Sequence, residues 1–353
     1  MKFTIPPRLK KGDKVAIVTP SFAAPYLFPE VYELGLERVR TVFGLEPIAF
    51  PSTCKSPEYL SKNPQARADD INAAFADTSI KAIISTTGGN DCIRILPYLN
   101  AKLIAANPKI FLGYSDTTNV HLFLWKLGLI SYYGGSVMSQ FGMQGAMQDY
   151  TIEWIKNALF ETELRQVTIS PTWTDIDFDW ADASMLTKHR PMESTPELEW
   201  YNCGNVSISG KLWGGCLEVL DLQLAVNNPQ YLPALEEFNN IVLYIETSEE
   251  LPSEGFVYRF IAALAERTIL QRIGGLLVGL PKTRFLQNVP PGGSELFRAT
   301  QQQAIKQALS DYGCTVPVVF NFNFGHTDPQ MLIPNGGTVY IDDRQKIITL
   351  SYE

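Results

Sequence analysis

Apolar and polar positions change period several times in the first half of the chain. Val15–Thr19 is a short apolar run closed by Pro20 and Ser21, which predicts a buried strand. Tyr32, Leu36, Val39 and Phe43 recur at i, i+4, i+7 and i+11 and predict one apolar helix face. Ala66–Asp77 reads as a helix feeding the strand Ala82–Ser85. Lys109–Leu112 reads as a further strand ended by Gly113, and Val120, Phe123, Leu124 and Leu127 give the next helical face. Such alternation predicts a parallel sheet covered by helices, with its ligand crevice at the carboxyl ends of the strands.

The pattern then breaks. Pro171–Asn205 carries Trp173, Trp180 and Trp200 with Asp175, Asp177, Asp179 and Asp182 between them, and it sustains neither period. It reads as a long loop or flap joining two domains, a length that marks function or disorder. Its three tryptophans argue against disorder. Beyond it, Ile241–Glu246, Gly275–Gly279 and Val316–Phe320 predict strands, and Val257–Glu266 a helix. Thr338–Ile341 and Lys346–Leu350 predict a terminal hairpin.

Composition narrows the function classes. The chain has 353 residues, enough for about two domains. A net charge of -8 without a long Lys/Arg cluster argues against a nucleic-acid polymer as main partner. No apolar run approaches the ~20 residues of a membrane span, and the first residues lack the apolar core of a secretory signal. Cys54, Cys92, Cys203, Cys216 and Cys314 are odd in number, scattered and without a CxxC. They read as reduced cytoplasmic thiols, neither a disulfide frame nor a zinc site. No GxGxxG, P-loop or HExxH occurs, so no cofactor or metal is expected. The aspartates at 175, 177 and 179 start like an EF-hand, but Trp180 stands where Gly is needed and Leu186 where a bidentate Glu is needed. They read as a solvated acidic loop.

The strongest chemistry lies at Phe111-Leu-Gly113-Tyr-Ser115-Asp-Thr-Thr. A strand ends at a glycine, a serine sits on the turn and an amphipathic helix follows, the layout of a nucleophile elbow. The backbone N–H of Asp116 is the natural oxyanion donor, and the Gly88–Gly89 turn after the neighbouring strand offers a second. The same layout also serves a plain helix N-cap, and Thr117 stands where the motif has its final Gly. A serine nucleophile needs a base held by a third group. His121 is six positions further along the same helix, roughly 240° around it, and reads as packing. His189, between Lys188 and Arg190, reads as a solvated flap residue. His326 follows Gly325 just past a strand, where a base would sit. Two acids remain open: Asp328, near His326, and Glu246, slightly favoured at the end of an apolar strand; Glu249 and Glu250 read as solvated.

Lys14–Ser21 (KVAIVTPS), Arg67–Gly89 (RADDINAAFADTSIKAIISTTGG), Lys109–Thr118 (KIFLGYSDTT) and Phe324–Thr327 (FGHT) resemble, in the same order, the LD-carboxypeptidase serine peptidases. The resemblance implies a Ser-Glu-His triad on Ser115, Glu246 and His326, with an oxyanion hole at Asp116, Gly88 and Gly89. It implies an α/β protein in three parts: an N-terminal Rossmann-like parallel-sheet domain (1–170), the flap (171–205) and a C-terminal mixed α/β domain (206–353). It also implies a homodimer. The segment Tyr244-Ile-Glu246-Thr-Ser-Glu-Glu and the Trp-rich flap are similar to the microcin C immunity branch. That branch implies a peptidyl- or aminoacyl-nucleotide substrate, with Trp180 a candidate stacking platform for its base. L,D-cleavage of muropeptide tetrapeptides is the alternative. A non-catalytic small-molecule binding protein is the rival of another class.

Overall fold

The computed structural model describes residues 2–352 apart from 162–163, 205–206 and 287; the last flap residue, Asn205, thus lies outside the described residues. The fold is mixed α/β, built on two larger sheets. The first has six strands in the order Ile333–Asn335, Ser131–Tyr133, Ile110–Gly113, Ile80–Ser85, Lys14–Val18, Glu46–Ala49. Its last five strands are parallel. Val15, Ala16, Ile17 and Val18 are wholly buried, because helices cover both faces of a parallel sheet and leave no polar side. The predicted strands and the helices Pro29–Thr41, Pro64–Ala76 and Thr118–Lys126 fall where the periodicity puts them, within a few residues.

The second sheet has eight strands. Four parallel strands, Ser207–Cys216, Ile241–Glu246, Gly275–Gly279 and Val318–Phe322, form its centre. The terminal hairpin Thr338–Asp342 and Ile347–Ser351 extends it antiparallel on one side. On the other side the flap contributes an edge strand, Glu199–Tyr201, which pairs antiparallel with Val318–Phe322. Flap residues Thr172–Trp173 also pair with Glu193–Ser194. The flap is therefore more ordered than its sequence predicts, since strands of two or three residues are too short to show an alternation.

Two features bind the sheets together. After His326 the chain returns to the first sheet, where Ile333–Asn335 pairs antiparallel with Ser131–Tyr133. One buried cluster also runs across both sheets, from Leu112, Tyr132 and Tyr133 to Leu212, Tyr244 and Val319. Among the described residues, no helix is long and apolar enough to cross a membrane.

Candidate active site

Ser115 opens a tight turn between the strand Ile110–Gly113 and the helix Thr118–Lys126. Its φ is 61°, the left-handed region that costs a non-glycine residue on the order of 1–2 kcal/mol. Surrounding bonds hold it there. Its N–H donates to the Tyr133 hydroxyl at 3.1 Å, and Thr118 Oγ1 donates to its carbonyl at 2.6 Å. Its side chain caps no helix; Oγ lies 2.9 Å from His326 Nε2. Gly88 closes over it from the neighbouring strand's turn. A Cβ at Gly88 would lie 2.6 Å from Ser115 Oγ and 3.2 Å from the Asp116 nitrogen, so only glycine fits.

His326 arrives from the second sheet. Its Nδ1 lies 2.6 Å from Glu246 Oε2, at the end of the strand Ile241–Glu246. Gly325, with φ 94°, makes this possible: a Cβ there would lie 2.5 Å from the same Oε2. The other carboxylate oxygen accepts from the Tyr133 hydroxyl at 2.5 Å. Tyr133 thus ties the acid to the backbone of Ser115. Burial, then the adjacent Glu246, push the Tyr133 hydroxyl far above its usual pKa, so it remains a donor. Burial works to lower the pKa of His326, but Glu246 and Glu249 outweigh it and hold the ring up to about 9. Geometrically this is a serine, an imidazole and a carboxylate in series, the arrangement that activates a hydroxyl for attack on a carbonyl.

The turn is braced from beneath. The buried Asp116 carboxylate accepts from Ser21 Oγ at 2.6 Å, Cys92 N at 2.8 Å and Asn119 Nδ2 at 2.9 Å. Arg67, fully buried, pairs bidentately with Asp91 at 2.7 and 3.0 Å and donates to the Pro20 carbonyl. These bonds fix the loop after Ile80–Ser85 that presents Gly88 and Gly89.

Above Ser115 opens a pocket of about 450 Å³. Its lining includes the aromatic residues Phe22, Phe28, Phe178, Trp180 and Phe285. Trp180 is half-buried and meets Phe28 edge-to-face at 5.6 Å. The structure corrects the reading of Asp175 and Asp177 as solvated, while Asp179 is exposed as expected. Asp175, 4% exposed, accepts from Thr283 N at 3.0 Å and pairs with Arg284 Nε at 2.8 Å. Asp177 pairs with Lys282 Nζ at 2.6 Å. Thr283, Arg284 and Lys282 lie about a hundred residues further on, beyond any local pattern. Asp328 is also spoken for. It accepts from Arg190 at 2.9 Å and Gln140 at 3.1 Å, so of the two acids left open, Glu246 is the one brought to His326. Glu249 is partly exposed as expected, yet its Oε2 lies 3.2 Å from His326 Nε2.

The other two histidines stay out of the site. His189 is exposed. His121 is buried, with Nδ1 2.7 Å from Ser131 Oγ and Nε2 2.8 Å from the Gly113 carbonyl. A carbonyl only accepts, so Nε2 carries the hydrogen. Burial pushes the His121 pKa down to about 4. Among the described residues no cluster of three or more His, Cys, Asp or Glu could hold a metal.

Comparison with known proteins decides the family. Residues 15–134 match the LD-carboxypeptidase N-terminal domain and residues 209–341 its C-terminal domain. The chain belongs to the LD-carboxypeptidase family. A Vibrio cholerae protein named "putative carboxypeptidase" is 28% identical over 339 residues, covering 95% of this chain and 94% of the relative. The microcin C7 self-immunity protein MccF of Escherichia coli is 26% identical, covering 97% and 94%. The MccF-like protein from Streptococcus pneumoniae, solved in complex with AMP, superposes with a TM-score of 0.83 at 28% identity, covering 97% of this chain and 99% of that one.

Several residues at this LD-carboxypeptidase site escape sequence reasoning. Tyr133 sits in a short strand, with no signal that its hydroxyl meets Glu246. Phe22 and Phe28 flank a four-residue helix, Ala24–Leu27. Arg190 and Lys282 are surface-type residues whose burial depends on acids from other segments. Arg67 alone has a signal: an arginine on the helix face that carries Ala68, Ile71 and Phe75.

Proposed function

We propose that this protein is a serine amide hydrolase of the carboxypeptidase type, with Ser115 as nucleophile, His326 as base and Glu246 as the orienting acid. The observation that carries the reading is the unbroken series Glu246–His326–Ser115, at 2.6 and 2.9 Å, on a serine held at φ 61° beneath an open pocket. Ser115 Oγ attacks the amide carbonyl while His326 Nε2 takes its proton. The N–H groups of Asp116 and of the Gly88–Gly89 turn receive the oxyanion. His326 then protonates the leaving amine, and water releases the acyl group by the same relay. Residues 1–170 supply the nucleophile and the oxyanion turn, 206–353 the acid and base, and the flap between them the pocket's outer wall.

The preferred substrate is a peptidyl or aminoacyl nucleotide of the microcin C kind, whose cleavage would detoxify it. The aromatic lining with Trp180, and the likeness to MccF and to an MccF-like protein solved with AMP, support this choice. The family's description favours a second reading, release of the terminal D-amino acid from muropeptide tetrapeptides. Under either reading the enzyme works in the cytoplasm, where its free cysteines stay reduced, and as the homodimer that the family resemblance implies. The test is kcat/KM on an aminoacyl-nucleotide amide and on a muropeptide tetrapeptide. A clear preference for the first is expected. Cleavage of the tetrapeptide alone would overturn the substrate choice, and equal turnover by Ser115→Ala would overturn the mechanism.

A further inference from the structure

His326 carries a carboxylate on each ring nitrogen: Glu246 Oε2 at 2.6 Å from Nδ1 and Glu249 Oε2 at 3.2 Å from Nε2. A neutral imidazole has one N–H and one lone pair, so two carboxylates are satisfied together only by the imidazolium. Yet Nε2 also lies 2.9 Å from Ser115 Oγ, and a base must present a lone pair there. The two arrangements exclude each other. The surroundings favour the charged ring. Glu218 adds the field of a third carboxylate in the same direction. Lys282 meets His326 at its backbone carbonyl and not at the ring, and its charge is taken by Asp177.

Glu249 is the movable partner. Its side chain is 43% exposed against 1% for Glu246, and it lines the pocket beside Glu250. The two lysine and arginine side chains lining the pocket, Arg190 and Lys282, are engaged by Asp328 and Asp177. The wall around Glu249 is therefore left negative and attracts a substrate cation.

We propose that Glu249 is a substrate-released lock on the base: it pairs with His326 Nε2–H until an ammonium group on the substrate's acyl residue draws it away. The Nε2 proton then passes to solvent water and the lone pair faces Ser115 Oγ. This rests on the amide-hydrolase reading above, with Glu249 a positioning residue that also selects substrate.

Two measurements on wild type and Glu249→Gln test it. The first is the rate at which a small uncharged fluorophosphonate labels Ser115 between pH 6 and 9.5. The variant should label about tenfold faster at pH 7, with its acid limb about one pH unit lower, since one unit is a tenfold change in free base. Superimposed profiles overturn the lock. The second is the ratio of kcat/KM for an aminoacyl-nucleotide amide with a free α-amino group to that for its N-acetyl form. That ratio should fall about fivefold in the variant, the scale of a partly exposed ion pair. An unchanged ratio overturns release by ammonium. The underlying reading fails separately: wild type would resist the reagent, or Ser115→Ala would react as fast.

Discussion

His121 and His326 lie inside the same molecule, each with partners at both ring nitrogens, and those partners set their pKa values on opposite sides of the ordinary histidine value. His121 meets a hydroxyl and a carbonyl, and its pKa falls to about 4. His326 meets two carboxylates, and although burial opposes the charge its pKa rises to about 9. Burial alone removes the charge from a histidine; a carboxylate in contact, in the same low-dielectric setting, restores it. Tyr133 stands between the two regions. Its ring packs on His121 at 5.4 Å while its hydroxyl reaches Glu246. The interior histidine is held by neutral partners, the pocket histidine by carboxylates.

The sharpest way to break this contrast is to remove the proposed nucleophile. Ser115→Ala should lower kcat on the order of 10⁶-fold while ligand binding and melting temperature stay near wild type. His326→Ala should follow it. A loss under a thousandfold would show that the pocket's chemistry runs elsewhere.

Glu246→Gln keeps the shape of the acid but not its charge. Its kcat should fall about 10⁴-fold with KM little changed, as when the acid of another serine triad is made neutral. Asp328→Asn, which leaves Arg190 short of its partner, should be milder in kcat. The reverse ranking would assign the acid to Asp328.

Trp180→Ala tests the aromatic lining. Stacking on an indole is worth about 1–3 kcal/mol, so kcat/KM on aminoacyl-nucleotide amides should drop about 5- to 150-fold. A short peptide amide without a base should be nearly unaffected. Equal losses on both would make Trp180 a packing residue of the flap.

The smallest effects separate the histidines by stability. His121 in the folded chain refuses a proton that the unfolded chain binds near 6.5, so its contribution is full above that pH and fades as pH falls towards 4. His326 keeps a proton that the unfolded chain releases, so its contribution is full below about 6.5 and fades as pH rises towards 9. Melting curves of wild type, His121→Gln and His326→Gln over this range should show the first gap closing on acidification and the second on alkalinisation. Flat gaps would dissolve the contrast. His121→Gln should also cost about 1–3 kcal/mol of stability through its lost hydrogen bonds while keeping most activity.

Much of this was legible in the chain. Ile241–Glu246 and Gly275–Gly279 match their predicted limits, because a strand buried on both faces is a continuous apolar run. The turn at Ser115 was visible for a similar reason: a strand, a glycine and a helix pattern meet within a few residues. The edge strand Glu199–Tyr201 was not legible, since its pairing with Val318–Phe322 spans more than a hundred residues. The solvated reading of Asp175 and Asp177 failed likewise. Nothing near Asp175 or Asp177 in sequence foretells Thr283, Arg284 and Lys282.

The sequence by itself determined the α/β class, the position of the strand-to-helix turn and the three residue types that a serine relay needs. Periodicity and turn chemistry act over a few residues, so they can be read from a few residues. Tertiary structure alone decided which acid meets His326 and that Tyr133 bridges Glu246 to Ser115. It alone put Glu249 in contention for Nε2 and took Asp175 and Asp177 of the flap into ion pairs with Arg284 and Lys282. Each of these depends on groups brought from distant segments to within about 3 Å, the distance at which hydrogen bonding acts. The return of the chain into the first sheet at Ile333–Asn335 is part of what sets that closeness, and no local pattern encodes it.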